Sequence, residues 1–114
     1  MSRSQMTMLQ GTVDMLILHA LQKEPAHGYS VTRWIRERTE GALALEDAAL
    51  YQGLHRLEAR GWIEAEWGAS ENNRRARFYS VTKAGEKQLT VETENWERLA
   101  AVMGRVLATE GPER

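Results

Sequence analysis

The stretch Ala49–Gly85 reads ALYQGLHRLEARGWIEAEWGASENNRRARFYSVTKAG. Leu50, Leu54 and Leu57 fall at i, i+4 and i+7, the spacing of one buried helical stripe. Glu46 or Asp47 offers a carboxylate to the start of this helix, and Gly61 ends it. Trp62–Trp67 then alternates as a strand, with Trp62, Glu64 and Glu66 on one face and Ile63, Ala65 and Trp67 on the other. Gly68–Arg75 is polar and reads as a flexible loop, and Arg77–Val81, with Phe78, Tyr79 and Val81, reads as the returning strand. A short helix followed by a hairpin with arginines at its tip predicts a recognition helix and a wing, the arrangement that sets a helix in a DNA groove and basic side chains on phosphates.

Working outward, Leu9, Val13, Leu16, Ile17 and Leu21 carry a helical period over about Gln5 to Lys23, closed by Pro25. A second helix is expected from near His27 to about Glu40, with Tyr29, Val31, Trp34 and Ile35 inward and Gly41 at the C′ position. Ala42–Leu45 is a short extended link. Thr82 reads as the N-cap of a last helix reaching about Ala108, with Gly85 in its first turn. Along it Leu89, Trp96, Leu99, Met103 and Val106 are spaced by seven, three, four and three residues, a heptad-like seam. The helix is longer than the module before it can cover, so the seam predicts a dimer interface in preference to an internal contact.

The expected architecture is mainly α with a small β-hairpin: a winged helix-turn-helix plus a long C-terminal dimerisation helix. Residues 1–82 form the DNA-binding unit, residues 83–109 the dimerisation helix, and residues 110–114 a disordered tail; residues 1–4 are expected to be disordered too.

The chain has 114 residues, enough for one modest core. Apolar content of 42% and charged content of 27% fit a globular domain. A net charge of −1 argues against non-specific coating of nucleic acid, yet Arg56, Arg60, Arg74, Arg75, Arg77, Lys83 and Lys87 form a local basic stripe. No apolar run could span a bilayer, and no secretory leader is evident. The chain has no cysteine, so disulfides and thiolate metal sites are excluded; this fits a reducing, cytoplasmic setting.

Because the leucine stripe faces inward, Tyr51, Gln52, His55 and Arg56 are left for DNA. Gln can pair with adenine and Arg with guanine through two hydrogen bonds each. On the wing, Asn72, Asn73, Arg74, Arg75 and Arg77 can donate to phosphates or enter the minor groove. Gly53 sits mid-helix, where glycine costs about 1 kcal/mol against alanine. It marks a close approach to DNA or to another helix, or is a tolerated exception. Trp96 on the seam reads first as core; at a symmetry axis, two copies could form a slot for a flat aromatic ligand.

Catalysis has little support. His19, His27 and His55 lack metal-ligand spacing, and no phosphate loop or nucleophile elbow is present. His19 reads as an interface histidine, and Glu64 and Glu66 as solvated acids. No catalytic residue, metal or cofactor is expected.

Four segments carry a family likeness: LQGTVDMLILHAL at Leu9–Leu21, HGYSVTRWI at His27–Ile35, ALYQGLHRLEARGWIEAEW at Ala49–Trp67 and RRARFYSVTKAGEKQL at Arg74–Leu89. In these the chain resembles the PadR family of winged-helix transcriptional regulators. The resemblance implies a homodimer built from N-terminal and C-terminal helices, with Leu16 joining the seam residues at the interface. It implies a repressor on an inverted-repeat DNA operator, with Tyr29, Tyr51 and Tyr79 at or near the DNA backbone. The single C-terminal helix resembles a smaller subfamily, some members of which bind planar hydrophobic compounds between subunits, and Trp96 matches the tryptophan used there. Gly53 and the acidic pair Glu46–Asp47 depart from the family pattern, which bears on the operator sequence. The alternatives are a sensor whose main property is binding planar aromatics at Trp96, and a protein-interaction module that has lost DNA binding.

Overall fold

The computed structural model describes residues 10–113. The expected disorder of residues 1–4, the helix start near Gln5 and the contact of Leu9 lie outside the described residues. The elements are α1 (Gln10–Ala20), α2 (Gly28–Arg38), α3 (Asp47–Ala59), β1 (Ile63–Ala69), β2 (Arg75–Val81) and α4 (Lys83–Leu107).

The helix ends follow from local chemistry. His27 caps α2: its Nδ1 accepts from the Ser30 amide at 3.3 Å. At the other end the Glu40 amide donates to the Glu37 carbonyl and the Gly41 amide to the Arg36 carbonyl. This double closure puts Glu40, at φ +52°, in the C′ position expected of Gly41, one residue earlier in the chain, and Gly41 follows it at φ +82°. At the end of α3 the same closure places Gly61 at C′ with φ +76°, as expected. Of the two carboxylates expected at the start of α3, Glu46 is the N-cap but makes no side-chain capping bond, and Asp47 lies in the first turn, where its charge suits the helix dipole. Thr82 caps α4, accepting from the Gly85 amide at 3.1 Å while donating to the Gly61 carbonyl at 2.7 Å. One hydroxyl thus ties the start of α4 to the end of α3.

The core is formed by Val13, Ile17 and Leu18 of α1 with Leu21 just beyond it, Val31 and Ile35 of α2, and Leu50, Leu54 and Leu57 of α3, closed by Leu45, Ile63, Tyr79 and Leu89. Gly53 explains itself here. A Cβ on it would stand 2.7 Å from Ile17 Cδ1, so its absence lets α1 and α3 close upon one another. On α2, Thr32 is buried in place of Tyr29, which points outward and is 66% exposed; Trp34 is half-buried.

β1 and β2 pair antiparallel, with Ile63 opposite Val81 and Trp67 opposite Arg77. Against the expected Trp62–Trp67 and Arg77–Val81, β1 starts one residue later and runs on to Ala69, and β2 starts earlier, at Arg75. Gly68 pairs with Ala76 and makes room for the Phe78 ring, and the Ser70 amide donates to the Arg74 carbonyl at 2.8 Å to close a short turn. Backbone bonds between Ala26 and Tyr79, at 2.9 and 3.0 Å, fasten the link between α1 and α2 to β2 as a third, one-residue strand.

Leu89 is the first residue of the expected seam, but at 4% exposure it belongs to the chain's own core, because this turn of α4 lies against α1. Beyond it Trp96, Leu99, Val102, Met103 and Val106 stand exposed along α4. Leu16 is half-buried at the edge of the core. No helix among the described residues is long and apolar enough to cross a membrane.

Candidate nucleic-acid interface

The leucine stripe of α3 turns the opposite face of the helix to solvent, and Tyr51, Gln52 and His55 are exposed on it. Arg56 is not. Its Nη2 donates to Asp14 Oδ1 of α1 at 2.6 Å, and the other Asp14 oxygen lies 3.8 Å from Arg60. Gly53 opens the path: Arg56 Nη2 passes 3.5 Å from where a Cβ would be. Arg56 thus spends its Nη2 donor on α1, unlike the exposed Tyr51, Gln52 and His55 with which the sequence grouped it. Asp14 was not singled out from the sequence, although a lone acid inside the apolar run VDMLIL is the signal that could have revealed it.

The wing arginines separate into two kinds. Arg77 Nη2 donates to Glu58 Oε2 of α3 at 2.8 Å, so this arginine braces the hairpin against the recognition helix. Arg74 and Arg75 are exposed. Arg75 lies over the Trp67 ring, 4.4 Å from its centroid, an arrangement not foreseen in the sequence.

An open cleft of about 690 Å³ joins these parts. Gly28, Tyr29, Ser30 and Arg33 at the start of α2 form one wall, Tyr51 of α3 projects into it, and Trp67, Arg74, Arg75 and Arg77 of the hairpin form the other wall. The lining holds one acid, Glu71, against four arginines, and the α2 N-terminus adds its partial positive charge. Tyr29, Tyr51 and Tyr79 all border this cleft, far apart as they are in the sequence. Tyr79 differs from the other two. It is only 6% exposed, so its ring belongs to the core and it forms the floor of the cleft, whereas the other two stand exposed. Burial pushes its hydroxyl above the usual phenol range, Arg77 opposes this, and Glu58 and Tyr51 add to it. A basic, hydroxyl-rich concavity beside an exposed helix face suits the polyanionic backbone of duplex DNA.

The residues of this arrangement lie within a segment matched by a known family. Residues 17–91 match the transcriptional regulator PadR-like family. The chain belongs to that family. Among solved structures, it is similar to a transcriptional regulator from Clostridium thermocellum, with 30% identity, a TM-score of 0.77, and coverage of 84% of this chain and 93% of that one. A PadR family transcription regulator from Clostridium difficile shares 28% identity at a TM-score of 0.73, with 83% and 97% covered. One from Eggerthella lenta shares 28% identity at 0.76, with 89% and 86% covered. Like the PadR-like proteins, the chain is a DNA-binding transcriptional regulator on a winged-helix fold with a long C-terminal helix. Among the described residues no group of three or more His, Asp or Glu could hold a metal ion.

Proposed function

We propose that this PadR-like regulator acts as a homodimeric repressor on an inverted-repeat operator, in the cytoplasm with its DNA. One observation carries the reading: the apolar row Trp96, Leu99, Met103 and Val106 on α4, each at least 49% exposed. Apolar surface on this scale, in one stripe at helical spacing, favours burial against a second copy. A two-fold axis through α4 would present two α3 helices to successive major grooves, about 34 Å apart. Tyr51, Gln52 and His55 then face the bases, with Tyr29, Arg74 and Arg75 on phosphates.

Leu99→Asp together with Met103→Asp tests this. Sedimentation should show a dimer become a monomer, and operator affinity should fall at least tenfold, because each half-site then binds alone. A variant that stays dimeric and binds as before refutes the reading.

A second reading, an effector site, is favoured by a hollow of about 440 Å³ beside Trp96, lined also by Met15, Glu92, Asn95 and Leu99. A planar hydrophobic cation would stack on the indole beside the Glu92 carboxylate. Quenching of tryptophan fluorescence by such a compound, lost in Trp96→Ala, is the expected result; quenching that survives the substitution counts against it.

A further inference from the structure

One face of the hairpin carries Arg75, Trp67, Arg77 and Tyr79 in a row. The Arg75 guanidinium lies 4.4 Å from the Trp67 ring centroid, and Arg77 lies 5.9 Å from the same ring and 5.6 Å from that of Tyr79. Trp67 is 59% exposed and takes no part in the core, so packing does not account for a large aromatic at this position. The two arginines beside it are used differently. Arg77 gives an N–H to Glu58, whereas the Arg75 guanidinium lies over the Trp67 ring and makes no ion pair or side-chain hydrogen bond among the described residues. Stacking leaves the N–H groups at the edge of a guanidinium free to donate to a phosphate. A carboxylate partner both occupies donors and cancels charge.

We propose that Trp67 is a positioning residue for DNA binding: its ring holds the Arg75 guanidinium over the cleft with its donors unspent. Arg77 on the other side is the strut to α3. Arginine loses much rotamer freedom when it is ordered, and ordering it before the complex forms removes that cost from association. Trp67 therefore acts through Arg75 and has no role without it. The proposal rests on reading the cleft as the surface that meets phosphates.

The experiment is a double-mutant cycle, read by fluorescence anisotropy at several salt concentrations. The probe is the duplex that the wild-type protein enriches from a random-sequence pool. Arg75→Ala and Arg74→Ala are each expected to weaken binding and lower the salt slope by about one. Trp67→Ala should weaken binding about threefold in the wild-type background, and leave it unchanged in the Arg75→Ala background. Trp67→Phe keeps a π face and should restore most of the loss; Trp67→Leu, which keeps bulk without that face, should not, and it serves if Trp67→Ala does not fold. Equal losses from Trp67→Ala in both backgrounds mean that the ring touches DNA or merely braces the hairpin, and overturn the proposal. If Arg75→Ala is silent while Arg74→Ala lowers the slope, the cleft reading stands and the role of Trp67 falls. If both are silent, both fall.

Discussion

Arg56 of α3 donates to the nearly buried carboxylate of Asp14 on α1 at 2.6 Å, so a charge on the recognition helix is spent inside the protein. Removing one partner leaves the other charge poorly solvated. Asp14→Ala and Arg56→Ala are each expected to cost roughly 2–3 kcal/mol, below the range for fully buried pairs because Arg56 keeps some contact with water. Urea melts of the single and double variants measure this. The double variant should be less destabilised than the two single losses added together. Arg56→Ala should also leave the salt slope of DNA binding as it is in the wild type, which separates it from a phosphate contact.

Gly85 sits where the first turn of α4 meets the backbone of Trp62. A Cβ there would fall inside van der Waals contact of the Trp62 carbonyl oxygen, and backbone cannot step aside as a side chain does. The Thr82 amide already donates to that oxygen at 3.0 Å. Gly85→Ala should therefore destabilise by about 3 kcal/mol, although alanine is the better helix former. Thr82→Ala, which removes the cap and the bond to Gly61, should cost about 1 kcal/mol. Thermal melts of the pair check the order.

Gln52 and Arg74 should fail in different ways. Gln52 lies on the exposed face of α3, and Arg74 on the hairpin side of the cleft. Gln52→Ala is expected to relax preference at one base pair by about 1–3 kcal/mol with the salt slope unchanged. Arg74→Ala should weaken all sequences alike and lower the slope by about one. Competition binding with single-base operator variants distinguishes them.

The phenol of Tyr79 is held in its neutral form chiefly by burial, so its proton is bound more tightly in the folded chain than in the unfolded one. The sign follows from linkage. The contribution is fully present below the unfolded phenol value of 10.0 and is lost as pH rises from there through the higher folded value. Urea midpoints should fall on this alkaline limb, and Tyr79→Phe should flatten part of the fall. Equal slopes for the two proteins would show that Tyr79 does not report its burial in this way.

Much of the fold was legible because it is local. Leu50, Leu54 and Leu57 declare their stripe by spacing alone, Gly61 declares its C′ position, and Thr82 its cap; each depends on neighbours within one or two helical turns. The hairpin was legible from alternation, but its length was not, since Gly68 reads as a breaker until Phe78 is seen packed on it. Glu40 took the position expected of Gly41, because a one-residue choice of C′ is a small energy difference that the whole αα link decides.

The sequence by itself determined the winged-helix plan, the basic tip of the hairpin and the apolar row from Trp96 to Val106, each set by periodicity or composition over a few residues. The tertiary structure decided the role of each charge and ring. Arg56 and its partner Asp14 stand 42 residues apart, and Arg77 and Glu58 stand 19 apart. Tyr79 was drawn into the core and Leu89 was taken from the seam by the packing of α1, α2 and β2. Chain-distant groups meet only after the core closes, and a guanidinium serves DNA or a carboxylate according to which of them it then faces.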